Sequence, residues 1–183
     1  EFGVKGPTFA TCSACSTATH AIGIALDYIR NGAVDVAIAG ASESVINYGT
    51  MKAWQALHVL SPEGCFPFAK KRNGTVLSEG AGILVMESLE HAQERGANIL
   101  AELVGYGMSS DAKDMVNPDI EGPREAMRLA LEDAKLAPSD IEYLNAHGTA
   151  TTINDANETR AIKAVFGNHA KSLAISSTKS MHG

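Results

Sequence analysis

The chain has 183 residues, 45% apolar and 20% charged, the balance of a folded domain and not of a disordered or collagen-like chain. Fifteen basic against 21 acidic residues leave a charge of −6, which disfavours nucleic acid because phosphate binding needs a basic surface. Three cysteines make no disulfide framework and point to a reducing compartment, the cytoplasm, and no apolar run approaches the roughly 18 residues of a membrane span.

The first residues, Glu1-Phe2-Gly3-Val4-Lys5, have neither an initiator Met nor the layout of a signal peptide. After Gly6-Pro7, residues Thr8 to Thr11 read as a short strand. Ala18, Ala21, Ile22, Ala25, Leu26 and Ile29 then mark one face of a helix that Asn31-Gly32 stops. Val34 to Gly40 suits a strand buried on both faces. A helix is expected over Tyr48 to His58, and the proline-bearing, charged stretch Ser61 to Asn73 is a loop. Gly82 to Glu87 reads as a strand, Ser88 caps a short helix from Leu89 to Arg95, and Gly96 ends it. Ile99 to Tyr106 alternates as a strand, and Gly122-Pro123 opens a helix to about Lys135. Beyond Pro138-Ser139-Asp140, strands at Ile141 to Asn145 and Leu173 to Ser176 flank a helix from Asn154 to Phe166. Strands alternating with helices predict an α/β fold with a largely parallel sheet. The chain stops at Gly183, straight after a strand, which with the first residues suggests a piece of something longer.

Cys15 follows the first predicted strand and begins the first helix, where unpaired N–H groups lower a thiol's pKa and can donate to an oxyanion. The small neighbours Ser13, Ala14, Ser16 and Ala18 leave room for a substrate, although a buried structural thiol is the plain alternative. Cys12 and Cys15 form C-x-x-C, open to a redox pair or half a zinc site; Cys12 is otherwise expected to point into the sheet as a small hydrophobe. His147 closes a strand and precedes Gly148, the place where α/β sheets bind ligands; its imidazole can donate to a developing negative charge. Thr149 and Thr151 add hydroxyls, with a simple turn as the alternative reading. Lys179 is either a surface lysine or one that orients a catalytic partner. Lys70-Lys71-Arg72 reads as solvated charge by default, with an acidic partner as the minority reading.

Taken in order, Gly6-Pro7, Ala14-Cys15-Ser16-Thr17 and His20-Ala21-Ile22-Gly23 resemble the nucleophile segment of the β-ketoacyl-acyl-carrier-protein synthases. Val34 to Ser42, Pro67-Phe68, Arg72-x-Gly74 and Glu79-Gly80-Ala81-Gly82 are similar to the family's following blocks. Asn145 to Thr151 resembles its Asn-Ala-His-Gly-Thr-x-Thr motif, and Ser177-Thr178-Lys179-Ser180 its Lys motif. The likeness is strongest to chain-elongating type II and nodulation-type synthases.

This resemblance implies the thiolase-like, five-layered α-β-α-β-α fold, incomplete here. Residues 1–97 would end its N-terminal half and residues 98–183 begin its C-terminal half. It implies Cys15 as the acyl-accepting nucleophile, His147 as one of two histidines assisting malonyl decarboxylation, and Lys179 as their orienting residue. Thr149 and Thr151 would bind the phosphopantetheine arm of an acyl carrier protein. The implied reaction is decarboxylative Claisen condensation giving 3-oxoacyl carrier protein, in fatty-acid or polyketide synthesis, with no metal or redox cofactor. The implied assembly is a homodimer joined near Thr8 to Thr11. The family's second histidine would fall one residue past Gly183 and its C-terminal Gly-rich loop is absent, so the chain alone is expected not to condense. Ala69 and Asn73 stand where many members have Asp, and Thr75 where an aromatic is common. Two other classes stay in play: a non-catalytic chain-length partner subunit of the same fold, and a Cys12/Cys15 redox module.

Overall fold

The computed structural model describes residues 2–114 and 118–183. None of the candidate site residues lies outside them. The chain divides into two compact units, residues 1–43 with 80–104, and residues 44–79 with 105–183.

In the first unit a short 3-10 turn, Ala14–Ser16, leads into helix α1, Thr17–Arg30. Helix α1 ends at Asn31, whose N–H bonds back to Asp27. It packs on a two-stranded ladder of β1, Val36–Glu43, and β2, Gly80–Glu87. Ala25 and Leu26 of α1 and Ala39 of β1 form the buried contact. Burial of a Leu side chain contributes about 1.5–3 kcal/mol, so Leu26 is a principal anchor of this unit. Ser88 caps the following helix, α3 (Leu89–Glu94), by accepting a hydrogen bond from the His91 N–H, as the sequence predicts.

Four expectations about strands are corrected. The ladder is antiparallel, pairing Val36 with Glu87 and Glu43 with Gly80, where a parallel sheet was expected. Strand β1 is also not buried on both faces. Side chains alternate along a strand, so Ala37 and Ala39 turn inward while Val36 and Ile38 are exposed. The predicted strand Thr8 to Thr11 lies in no ladder, and the predicted strand Ile99 to Tyr106 likewise joins none. Strand propensity alone does not make a strand; a partner must take the backbone hydrogen bonds.

The second unit carries α2, Tyr48–Ala56, capped by Asn47, whose side chain accepts from the Thr50 N–H. Helix α4, Glu121–Ala134, and helix α5, Thr152–Phe166, pack together. Gly107 has no Cβ because the backbone of α4 at Ala126 and Ala130 occupies that space. Strands β3, Tyr143–Asn145, and β4, Ala174–Ser176, run parallel, with Leu144 beside Ile175. Ile162, Phe166 and Leu173 form the buried core, against Met127, Ile141, Leu144, Val165 and Ala170. A final helical turn, α6, spans Lys179–His182. Among the described residues, no helix is long and apolar enough to cross a membrane.

Candidate active site

The turn carrying Cys15 is held by hydroxyl groups close to it in sequence. The Ser13 N–H donates to Thr17 Oγ1 at 2.9 Å, and that hydroxyl donates to the Ala14 carbonyl at 2.8 Å. Ser16 Oγ donates to the Ser13 carbonyl at 2.8 Å. Ala14 adopts φ of +52°, a left-handed conformation that costs a non-glycine residue about 1–2 kcal/mol. Such strain persists where surrounding bonds over-determine the backbone, and this hydroxyl cluster does so. The Cys15 thiol, one residue on, is exposed, which sets aside the buried structural thiol as its reading. Ser13, Ser16 and Thr17 therefore lock the turn, a use beyond the small size that the sequence reading assigned to this neighbourhood. Cys12 is also exposed and lies in no strand, so it does not point into a sheet as expected. Among the described residues, no group of three or more His, Cys, Asp or Glu side chains is placed to hold a metal ion.

The other candidate residues lie in the second unit. The β3–β4 ladder delivers both motifs: the Ala146 N–H donates to the Ser176 carbonyl at 2.8 Å, and Asn145 and Thr178 bond reciprocally. His147 and Gly148 donate their N–H groups to the Glu158 carboxylate at 2.6 and 2.8 Å. Ala150, at φ of +61°, donates to Asp155 Oδ1 at 3.2 Å. The other oxygen of Asp155 accepts the N–H of Phe68 at 2.7 Å; Phe68 also has φ of +61°. Two carboxylates on the first turns of α5 thus pin the His147 loop, and Asp155 ties it to the loop at Phe68. Acidic groups suit the positive end of a helix there.

Ser177 Oγ sits beneath this loop, donating toward the His147 and Gly148 carbonyls at 3.2 and 3.0 Å and accepting from the Lys179 N–H at 3.3 Å. A Cβ on Gly148, whose φ is +45°, would collide with the Ser177 side chain. Glycine is therefore required where the two motifs touch. Thr149 and Thr151 face one another, hydroxyl to hydroxyl, at 2.8 Å.

The His147 ring is accessible, yet its pKa lies below the usual 6.5. The first cause is the surrounding protein, which penalises a charged ring; the second is the positive charge of Lys179, and both outweigh the opposing pull of Glu158 and Asp155. His147 is accordingly a neutral imidazole at neutral pH, able to donate from one nitrogen.

Asp155, Glu158 and Ser177 were not among the residues picked from sequence. The available signal was two acids, Asp155 and Glu158, in the first two turns of a helix that follows a Gly-Thr loop. Arg72 was read as solvated charge and is not: it bonds the Ala69, Thr151 and Thr152 carbonyls and stands 3.6 Å from Asp155. Lys71 lies over the Phe66 ring.

Two family models match the chain, "Beta-ketoacyl synthase, N-terminal domain" over residues 1–92 and "Beta-ketoacyl synthase, C-terminal domain" over residues 100–183. The chain is 55% identical to Nodulation protein E of Rhizobium leguminosarum bv. trifolii over 180 residues, 98% of this chain and 45% of that protein. It is 47% identical to 3-oxoacyl-[acyl-carrier-protein] synthase 2 of Staphylococcus aureus over 190 residues, all of this chain and 47% of that protein. The chain thus spans about half the length of the curated relatives it matches. A solved structure described as a type II PKS acyl-carrier protein in complex with its ketosynthase bound to the hexaketide aligns with TM-score 0.89 and 41% identity, over 92% of this chain and 44% of that one. The fold is thus the thiolase-like α/β fold of the ketosynthases.

Proposed function

The chain belongs to the β-ketoacyl synthase family, and from that premise we propose that it takes part in decarboxylative condensation of acyl thioesters in fatty-acid or polyketide synthesis. The observation that carries this reading is the exposed Cys15 thiol on its strained turn at the head of α1. The Cys15 thiolate attacks the acyl carbonyl, the carrier's thiolate leaves, and an S-acyl enzyme results. Malonyl thioester then loses CO2, and the electron pair of the broken C–C bond becomes an enolate. Neutral His147 donates a hydrogen bond to the enolate oxygen, with the surrounding protein and then the Lys179 charge favouring the uncharged ring. The enolate carbon attacks the acyl group and expels the Cys15 thiolate. The scheme calls for no metal or redox cofactor, because the malonyl carboxylate supplies the electron pair itself. Thr149 and Thr151 serve as hydroxyl partners for a phosphopantetheine arm. The expected partner is an acyl carrier protein, the assembly a homodimer and the compartment the cytoplasm.

The test is to incubate the protein with an acyl-carrier-protein thioester and locate the acyl group by peptide mass spectrometry. Acyl mass on Cys15, absent in Cys15→Ser, supports the reading. Acyl transfer to Cys12, or to neither thiol, refutes it, and the second outcome favours the chain-length partner reading.

A further inference from the structure

The Cys15 turn is tied to the rest of α1 by one histidine. The Ser13–Thr17, Thr17–Ala14 and Ser16–Ser13 bonds all close within the turn itself. Thr11 Oγ1 adds a bond to the Thr17 carbonyl at 3.4 Å, also local. Among the described residues, one side-chain bond of this cluster reaches beyond Thr17: Ser13 Oγ meets His20 Nδ1 at 2.6 Å. His20 lies on α1, three residues past Thr17, and both partners are half-buried. The pair is shielded enough to hold its geometry and short enough to constrain it.

We infer that His20 is a positioning residue for the Cys15 nucleophile, acting through the Ser13 hydroxyl to clamp the strained turn onto α1. The reason is mechanical. Ala14 stays left-handed only while its neighbours forbid relaxation, and the hydroxyl bonds of the cluster reach no farther into α1 than its first residue, Thr17. The bond to His20 ties the residue before Ala14 about one turn deeper into α1 and so fixes the direction in which the thiol is presented. The inference rests on the reading of Cys15 as nucleophile, and it adds a residue that does not touch the reacting atoms.

The test is the rate of iodoacetamide alkylation at Cys15 and at Cys12, resolved by peptide and followed as a function of pH. His20→Ala and Ser13→Ala should each change Cys15 alone, by a roughly threefold to tenfold fall in rate or the equivalent shift in its pH profile, the size of one lost hydrogen bond. The double variant should be no worse than either single one, because both remove the same contact. His20→Asn, whose amide stands near the position of Nδ1, should recover much of the loss. Unchanged Cys15 kinetics, additive losses, or equal changes at Cys12 and Cys15 would each overturn the inference. Alkylation needs no acyl donor, so a protein that alkylates as expected yet accepts no acyl group would refute the proposed function and leave the clamp standing.

Discussion

The turn around Cys15 and the loop around His147 are both strained, and they are held in opposite ways. The Cys15 turn is fastened by groups no more than seven residues apart, all hydroxyls, backbone or one imidazole. The His147 loop is fastened by carboxylates and by Ser177, 29 residues from Gly148, and Asp155 carries the tie on to Phe68, 87 positions before it. Neutral, local bonds are individually modest and leave the thiol exposed. The buried carboxylate Asp155, only 1% accessible, makes the loop part of the folding core. A nucleophile has to reach a substrate, whereas a histidine acting as hydrogen-bond donor has to stay in one orientation.

The comparison breaks first at Asp155. Asp155→Ala leaves the Phe68 and Ala150 N–H groups without their acceptor and removes the carboxylate that faces the Arg72 charge. A loss of about 3–5 kcal/mol in denaturant unfolding is expected, and a loss under 1 kcal/mol would show that the loop does not depend on this carboxylate. Gly148→Ala comes next, at about 2–3 kcal/mol, because it combines an unfavourable φ with a collision against Ser177. Unchanged stability in this variant would mean that the two motifs separate easily.

Thr17→Val removes the hydroxyl that serves both Ser13 and Ala14. We expect about 1–2 kcal/mol, confined to faster hydrogen exchange near residues 13–17. Global unfolding at the same free energy would erase the contrast between a local turn and a core-bound loop. The smallest effect on stability, and the sharpest test of the electrostatics, is Lys179→Met. Wild-type His147 gains its proton only as pH falls through its depressed pKa. Removing the lysine charge raises that pKa, so protonation should begin at higher pH in an NMR titration of the ring. An unmoved or lowered His147 pKa would exclude Lys179 as its electrostatic partner.

The difference between the regions is also a difference in legibility. Helix α1, its stop at Asn31, the Ser88 cap and the strand–Gly sequence ahead of Thr149 follow from residues a few positions apart. Cys15, His147, Lys179, Thr149 and Thr151 were visible because motif residues stand next to one another in the chain. The antiparallel β1–β2 ladder was not visible, since no local pattern says which strand a strand will meet. Arg72 reads as surface charge until Asp155, 83 positions on, is found beside it.

By itself the sequence determined which segments coil and which residues are candidates for chemistry, because propensity, capping and motif spacing act over a turn or two of chain. Only the tertiary structure decided what holds them: the carboxylates under the His147 loop, the charge that keeps that ring neutral, and the imidazole behind the Cys15 turn. Those partners are chosen by packing. Strain at Phe68 and Ala150 survives because burial and hydrogen bonds from other parts of the chain make every alternative worse, and at Ala14 because the adjacent hydroxyls do so.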